Sequence, residues 1–335
     1  MIILLLVSVA RADTFDLPTD GSTLVGRIKV VVPTQDNTLL DIARQLDVGH
    51  HEITWANPGV DVWVPRHDED VVVPSRYILP PRPWKGIVIN IPQRRLFFFP
   101  EPVKGQPARV MTYPVSIARE GWSTPLGEST VIAAHKDPAW FVPKSIREEH
   151  RRAGEPDFPE YFPPGPDNPM GMLAIQTGFP GIYIHGTNRP WGVGMRTSHG
   201  CLHLYPEDAA ELFPFMKKGI PVRVIDQPFV VGTDGRDVYL ASYEPVAEYT
   251  GTRNRVNRAV LAVSAFIAAD QKSATPRFDI DWKAVEAMAT VLQPVPVPVA
   301  PGAKSLKAIL ADIVPDIYNF EPYGTDANDA SMPGQ

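Results

Sequence analysis

The 335-residue chain carries 32 Lys and Arg against 38 Asp and Glu, a formal net charge of −6 at pH 7, with 44% hydrophobic and 21% charged residues. This is the composition of a globular protein with room for two or more domains. The negative balance, with no basic cluster to override it, argues against nucleic acid as a partner. The 37 prolines predict many loops and extended segments.

The chain opens MIILLLVSVARADTF. Residues 2–9 are apolar and are followed by Ala10-Arg11-Ala12, an A-x-A-like cleavage site before Asp13, so residues 1–12 read as a secretory signal peptide lacking a positive n-region. An apolar N-terminal strand is the competing reading. The run is too short to span a bilayer, and no later stretch is long and apolar enough to do so. Export makes the cysteine count informative. A protein stabilised by disulfides carries cysteines in pairs, whereas this chain has Cys201 alone.

Residues 28–80 read as a small α+β unit. IKVVV at 28–32 is strand-like, NTLLDIARQL at 37–46 has helical spacing, a second short helix spans 51–56 before Asn57-Pro58-Gly59, and VVVP at 71–74 closes the unit as a strand. In its NTLLDIARQL helix, ITWANPGVD turn and VVVPSRYILP exit, the stretch resembles a LysM domain, a glycan-binding module of cell-wall proteins. Gln35-Asp36-Asn37 departs from that family's Gly-Asp-Thr-like turn. The resemblance implies a glycan groove in the loops between elements, with Ile42, Ile53 and Trp55 as core.

LPPRP at 79–83 reads as a hinge. From Gly86 come short strand-like runs at 87–91, 95–99, 110–115, 129–133, 181–184 and 222–225, the pattern of a β-sandwich or barrel. One helix is expected over 206–218, with Glu207 and Asp208 suited to its positive N-terminal end. The segment 136–170 reads as a long loop, functional or disordered. Beyond 229 the chain reads as a partly helical extension to 335. Its helices are expected at 256–269 and 282–292, followed by an extended PVPVPVAPG linker at 294–302 and a polar, disordered last fifteen residues.

The chemistry-bearing residues crowd into HGTNRPWGVGMRTSHGCLHL at 185–204. Buried cysteine and histidine can be structural only. His199, Cys201 and His203 alternate as on one face of a strand and would suit zinc, although Gly200 weakens such a strand and no carboxylate follows at ligand spacing. The third reading is nucleophilic catalysis. A cysteine with an ordinary pKa near 8.5 is mostly protonated at neutral pH, so a histidine must take its proton or form an ion pair with it. Gly200 permits a tight turn beside the sulfur, and peptide N–H groups there could face an oxyanion.

Ser198-His199-Gly200-Cys201 and Ile184-His185-Gly186-Thr187-Asn188, with YPVSIAREGWSTPLGEST, DNPMGMLAIQTGFPGIYIHGTN and LYPEDAAELF around them, resemble the YkuD-type L,D-transpeptidase catalytic domain over roughly 85–228. The resemblance implies a mainly β, sandwich-like catalytic domain and a peptidoglycan stem-peptide substrate. The enzyme would attack the carbonyl of the diamino acid at stem position three, expel the terminal D-alanine and resolve the thioester with an amine, with no metal or other cofactor. Carried over by position, Cys201 is the nucleophile and His185 the general base, oriented by the Gly186 carbonyl. His199 supports the thiolate, the Gly200 and Cys201 amides form the oxyanion hole, and Thr187 and Ser198 support the site. His203 stands where the family commonly has Arg or Asn. An arginine brings permanent charge and a rigid fork, so His203 puts the anchoring of a substrate carboxylate or a loop in doubt: it is either a pH-sensitive anchor or a packing residue. Gly192 and Gly194 read as turn residues, not a phosphate loop.

The sequence therefore predicts an exported, periplasmic L,D-transpeptidase that acts on stem peptides and glycan strands, with another stem peptide or an outer-membrane lipoprotein as acyl acceptor. Water as acceptor would make it a carboxypeptidase or linkage-cleaving hydrolase, and a non-catalytic wall-binding protein is the remaining class. Cys201→Ala should abolish turnover and leave folding intact, as read by product formation and circular dichroism. Turnover that survives in this variant, or that EDTA removes and zinc restores, would reverse the cysteine assignment.

Overall fold

A computed structural model describes residues 13–34, 36–67, 69–250, 254–270, 277–320 and 323. The expected signal peptide and nearly all of the expected disordered tail lie outside these residues.

The frame is a nine-stranded sheet, in the order Asp13–Asp16, Arg109–Pro114, Arg95–Phe99, Gly86–Asn90, Pro221–Ile225, Gly127–Lys136, Leu173–Thr177, Tyr183–His185 and Leu202–His203. Strand Gly127–Lys136 changes partner midway. Gly127 to Thr130 pair with the 221–224 strand and Val131 onward with the 173–177 strand, with an irregularity between Val131 and Ala133. Such an irregularity bends a strand, and here it curls the sheet over one apolar core. Ile87, Ile89, Leu96, Tyr113, Ile175, Ile184 and Leu202 fill that core. This part of the chain is thus mainly β, as the sequence predicts.

Residues 29–73 run strand, helix, helix, strand. Lys29–Pro33 pairs antiparallel with Val71–Val73, and between them lie helices α1 (Leu39–Gln45) and α2 (His50–Ala56). Thr38 caps α1: its Oγ1 accepts the Asp41 N–H at 3.0 Å while Asp41 Oδ2 accepts the Thr38 N–H at 2.8 Å. This reciprocal pair satisfies two of the helix's otherwise unpaired donors. Leu39, Ile42 and Ile53 fill the small core. A third strand, Asp316–Tyr318, lies parallel to Lys29–Pro33, and Tyr318 enters the same core.

Several expectations are corrected. The 79–83 segment is no free hinge, because Leu79 and Pro80 are buried and the Pro80 and Pro81 carbonyls accept bonds from Trp84 and Arg223. Strands do not end at 225: Phe229–Thr233 and Val238–Ser242 follow. The expected 294–302 linker is instead largely the strand Gln293–Pro298, with Val295 fully buried. It pairs on one side only, with Val238–Ser242, so its prolines sit where a missing N–H costs nothing. The helix expected to run to 218 is α4 (Pro206–Leu212), followed by a 3-10 turn over Phe213–Phe215 that holds Pro214; the helix expected over 282–292 ends at Met288. The segment 136–170 is not a bare loop. It holds α3 (Lys144–Arg152) and the paired strands Trp140–Phe141 and Tyr161–Phe162.

The α2 unit is locked to the large sheet by a buried ion pair. Arg95, fully buried on strand Arg95–Phe99, donates through Nε and Nη2 to the two carboxylate oxygens of Glu52 at 2.8 and 2.7 Å. It also donates to the Asp47 carbonyl at 2.8 Å and to Thr112 Oγ1 at 3.3 Å, and its guanidinium lies over the Tyr77 ring. Glu52 Oε2 meanwhile accepts the Gly49 N–H at 2.8 Å, fixing the start of α2. Removing one member of such a pair leaves a buried charge uncompensated. Arg95→Met should therefore cost about 3–5 kcal/mol in denaturant unfolding, and Arg95→Met with Glu52→Met should recover most of it. A single variant as stable as the wild type would show that the pair does not hold the two parts together.

Candidate active site

Strand Leu202–His203 runs parallel to Tyr183–His185, with His185 opposite His203 and Ile184 opposite Leu202. Side chains alternate along strands, so Ile184 and Leu202 enter the core while His185 and His203 share the other face, their ring centroids 4.6 Å apart. Cys201 precedes this strand. Its Sγ receives the Tyr183 N–H at 3.4 Å and lies 3.6 Å from the Gly181 carbonyl, to which the thiol donates.

The turn before Cys201 is fixed by its own polar groups. Gly200 has φ +126, a conformation side chains avoid, and a Cβ there would meet Ile182 at 2.9 Å and the Ser123 carbonyl at 3.2 Å. Ser198 Oγ accepts the Gly200 N–H at 3.1 Å and donates to the Cys201 carbonyl at 2.5 Å; Thr124 Oγ1 donates to the Gly200 carbonyl at 2.7 Å. Two consequences follow. The turn breaks the alternation on which a zinc reading of His199, Cys201 and His203 depended, and among the described residues no cluster has the makings of a metal site. The Gly200 amide, expected to face an oxyanion, already bonds Ser198.

His185 is buried, and its Nδ1–H donates to the Gly186 carbonyl at 2.6 Å, which leaves Nε2 as the acceptor. Burial pushes its pKa down to about 4, against the pull of the Gly186 and Met170 backbone. Burial pushes the Cys201 thiol up, against the Tyr183 N–H. The resting pair is therefore neutral thiol and neutral imidazole, not thiolate and imidazolium. Gly186 and Thr187 are packed close to Gly171, whose φ of +62 lets the two backbones touch, and Thr187 Oγ1 accepts the Arg189 N–H at 3.0 Å.

His203 does not fit the expected charged anchor. Desolvation, then the adjacent His185 and His199, push its pKa well below the ordinary value, so it is neutral at physiological pH. His199 turns away from this pair toward the 136–170 segment. Its Nε2 lies 2.5 Å from Arg119 Nη2 and 3.1 Å from Glu149 Oε2, and the Trp122 ring meets it edge-on at 4.7 Å. Tyr183, Arg119, Trp122, Thr124 and Glu149 were not singled out in the sequence. All lie at a distance from residues 198–201 along the chain, and only for 119–124 and Tyr183 did a quoted segment, AREGWST or GIYIHGTN, hold a signal.

The L,D-transpeptidase catalytic domain model matches residues 85–224. Probable L,D-transpeptidase YbiS of Escherichia coli (strain K12) is 38% identical over 231 residues, covering 68% of this chain and 73% of the relative. Probable L,D-transpeptidase ErfK/SrfK of the same strain is 35% identical over 266 residues, 76% and 83% of the two chains, and YcfS is 37% identical over 245 residues, 71% and 75%. The chain belongs to the L,D-transpeptidase family of enzymes.

The neutrality of the two facing histidines is open to direct measurement. Ring-nitrogen NMR shifts should show His185 titrating near pH 4 and His203 still neutral well below the ordinary imidazole midpoint. A midpoint near 6.5 for His203 would return it to the role of titrating anchor.

Proposed function

We propose that the protein is an exported L,D-transpeptidase that transfers stem-peptide acyl groups through a thioester on Cys201. The observation that carries this reading is the pairing that sets His185 beside the strand directly after Cys201, with Nδ1 tied to Gly186. Cys201 Sγ attacks the carbonyl of the stem's third residue as its proton passes to His185 Nε2. The Tyr183 N–H, already at the sulfur, and the Cys201 N–H stabilise the oxyanion. The C–N bond then breaks, and D-alanine leaves with the proton from His185. An incoming amine gives up a proton to His185 and attacks the thioester, and the C–S bond breaks to restore the thiol. Ser198 and Gly200 hold the turn, and Gly186 and Thr187 hold the histidine loop.

In this reading residues 28–80 are a glycan-binding module, 85–228 the catalytic domain and 229–335 an extension that braces both. The setting is the periplasm and the substrate is peptidoglycan. The acceptor amine belongs to another stem or to an outer-membrane lipoprotein. The neutral thiol and neutral base suit a nucleophile that is activated only when substrate excludes water.

Incubation with a tetrapeptide stem should give an acyl adduct on Cys201 by intact mass, with release of D-alanine, and a carbapenem should give one adduct per chain that Cys201→Ala lacks. An adduct elsewhere, or none, would refute the mechanism. Free tripeptide as sole product, with amines of both kinds present, would replace transfer by hydrolysis.

A further inference from the structure

With His203 neutral and His185 reserved as base, the donor site lacks the permanent cation that a carboxylate-terminated peptide calls for. The structure assigns that cation to Arg119: its guanidinium reads the terminal carboxylate of the donor peptide, and Glu149 occupies it until the donor arrives. This rests on the donor chemistry proposed above, in which the expelled residue ends in a carboxylate.

Arg119 is stitched to the cysteine turn. Its N–H donates to the Ser198 carbonyl at 2.9 Å, and two residues of the same segment, Ser123 and Thr124, touch Gly200. The guanidinium meets His199 Nε2 and contacts Glu149 Oε1. One ring nitrogen cannot both accept from Arg119 and donate to Glu149. Burial first, and then Arg119, lower the His199 pKa, so the ring is neutral and Nε2 accepts from the arginine. His199 is thus a positioning residue that aims Arg119, with Trp122 against its ring.

Two neighbouring arginines are otherwise engaged. Arg196 donates to the Ala118 carbonyl and to Glu248, and Arg94 is buried against Glu244 and the Gly194 carbonyl. Arg119 differs because its anion can leave. The side chains of Arg119 and Glu149 are 36% and 33% exposed, and Glu149 sits on α3 of the 136–170 segment rather than on the large sheet. A pair so exposed to solvent contributes little net stability, so a carboxylate ligand displaces Glu149 at small cost. An arginine's planar fork then takes the carboxylate through two parallel bonds.

The test uses the full chain and two stem tetrapeptides, one ending in a free carboxylate and one in a carboxamide. Affinities are measured by calorimetry in a Cys201→Ala background, and KM and kcat in the intact enzyme. The carboxylate donor should bind roughly tenfold or more tightly than the amide, the scale of a hydrogen bond between charged groups. Arg119→Met should bring the ratio of the two close to one, and Arg119→Lys should restore part of it. Glu149→Gln should tighten the carboxylate donor more than the amide. A purely structural Arg119 would weaken both donors alike and keep their ratio, which overturns the assignment, as does a ratio that collapses in Arg189→Met instead. Failure of D-alanine release with an Arg119-dependent carboxylate preference intact would refute the transpeptidase mechanism alone. Absence of any preference in the Cys201→Ala background would refute this inference alone.

Discussion

The Glu52–Arg95 pair is the constraint on which the rest of the arrangement depends. Both side chains are almost wholly buried, so neither charge can be left without the other. Glu52 also starts α2, and Arg95 also binds the carbonyl of Asp47 in the turn after α1. The two helices therefore cannot shift on the sheet without exposing an uncompensated charge. Around this point the contact is close enough to exclude side chains. A Cβ on Gly194 would lie 2.5 Å from the His50 nitrogen, and the Gly194 carbonyl meets His51 Nδ1 at 3.0 Å. The loop between His185 and Cys201 is thus braced by the N-terminal unit, and the cysteine turn inherits that rigidity.

The same interface holds further buried acids. Asp47, on the N-terminal unit, and Asp208, on α4 below the cysteine strand, are both buried, and desolvation raises each carboxyl well above its usual range. A raised carboxyl pKa means that the folded state holds its proton more tightly than the unfolded chain. That contribution is complete below the ordinary carboxylate range and is lost as pH rises through the folded value. The buried His185 works the other way, favouring the folded state above its unfolded pKa near 6.5 and losing that advantage as pH falls toward 4. The docked arrangement is thus limited from both sides by groups that burial keeps uncharged.

At the site, burial decides protonation and long-range pairing decides position. His185 and Cys201 are neutral because packing around them penalises charge, and the parallel pairing of two short strands sets His185 opposite His203, two residues after Cys201. The 136–170 segment adds what the sheet lacks. Helix α3 brings a carboxylate to the edge of the cysteine turn, where Arg119 and His199 meet it.

The sequence by itself determined the local order and the chemical inventory. Strand and helix runs through residues 28–99 follow from the spacing of their apolar residues, because these signals act within a few residues. The clustering of His185, His199 and His203 with the lone Cys201 was visible for the same reason. Only tertiary structure decided the remainder. PVPVPV became a buried edge strand because residues 238–242 offered it a partner; Tyr318 completed a core begun at Lys29. His203 lost its charge, and His199 turned to an arginine eighty positions away. Desolvation and contacts between distant residues have no local pattern to read, since both exist only after the chain has closed around them.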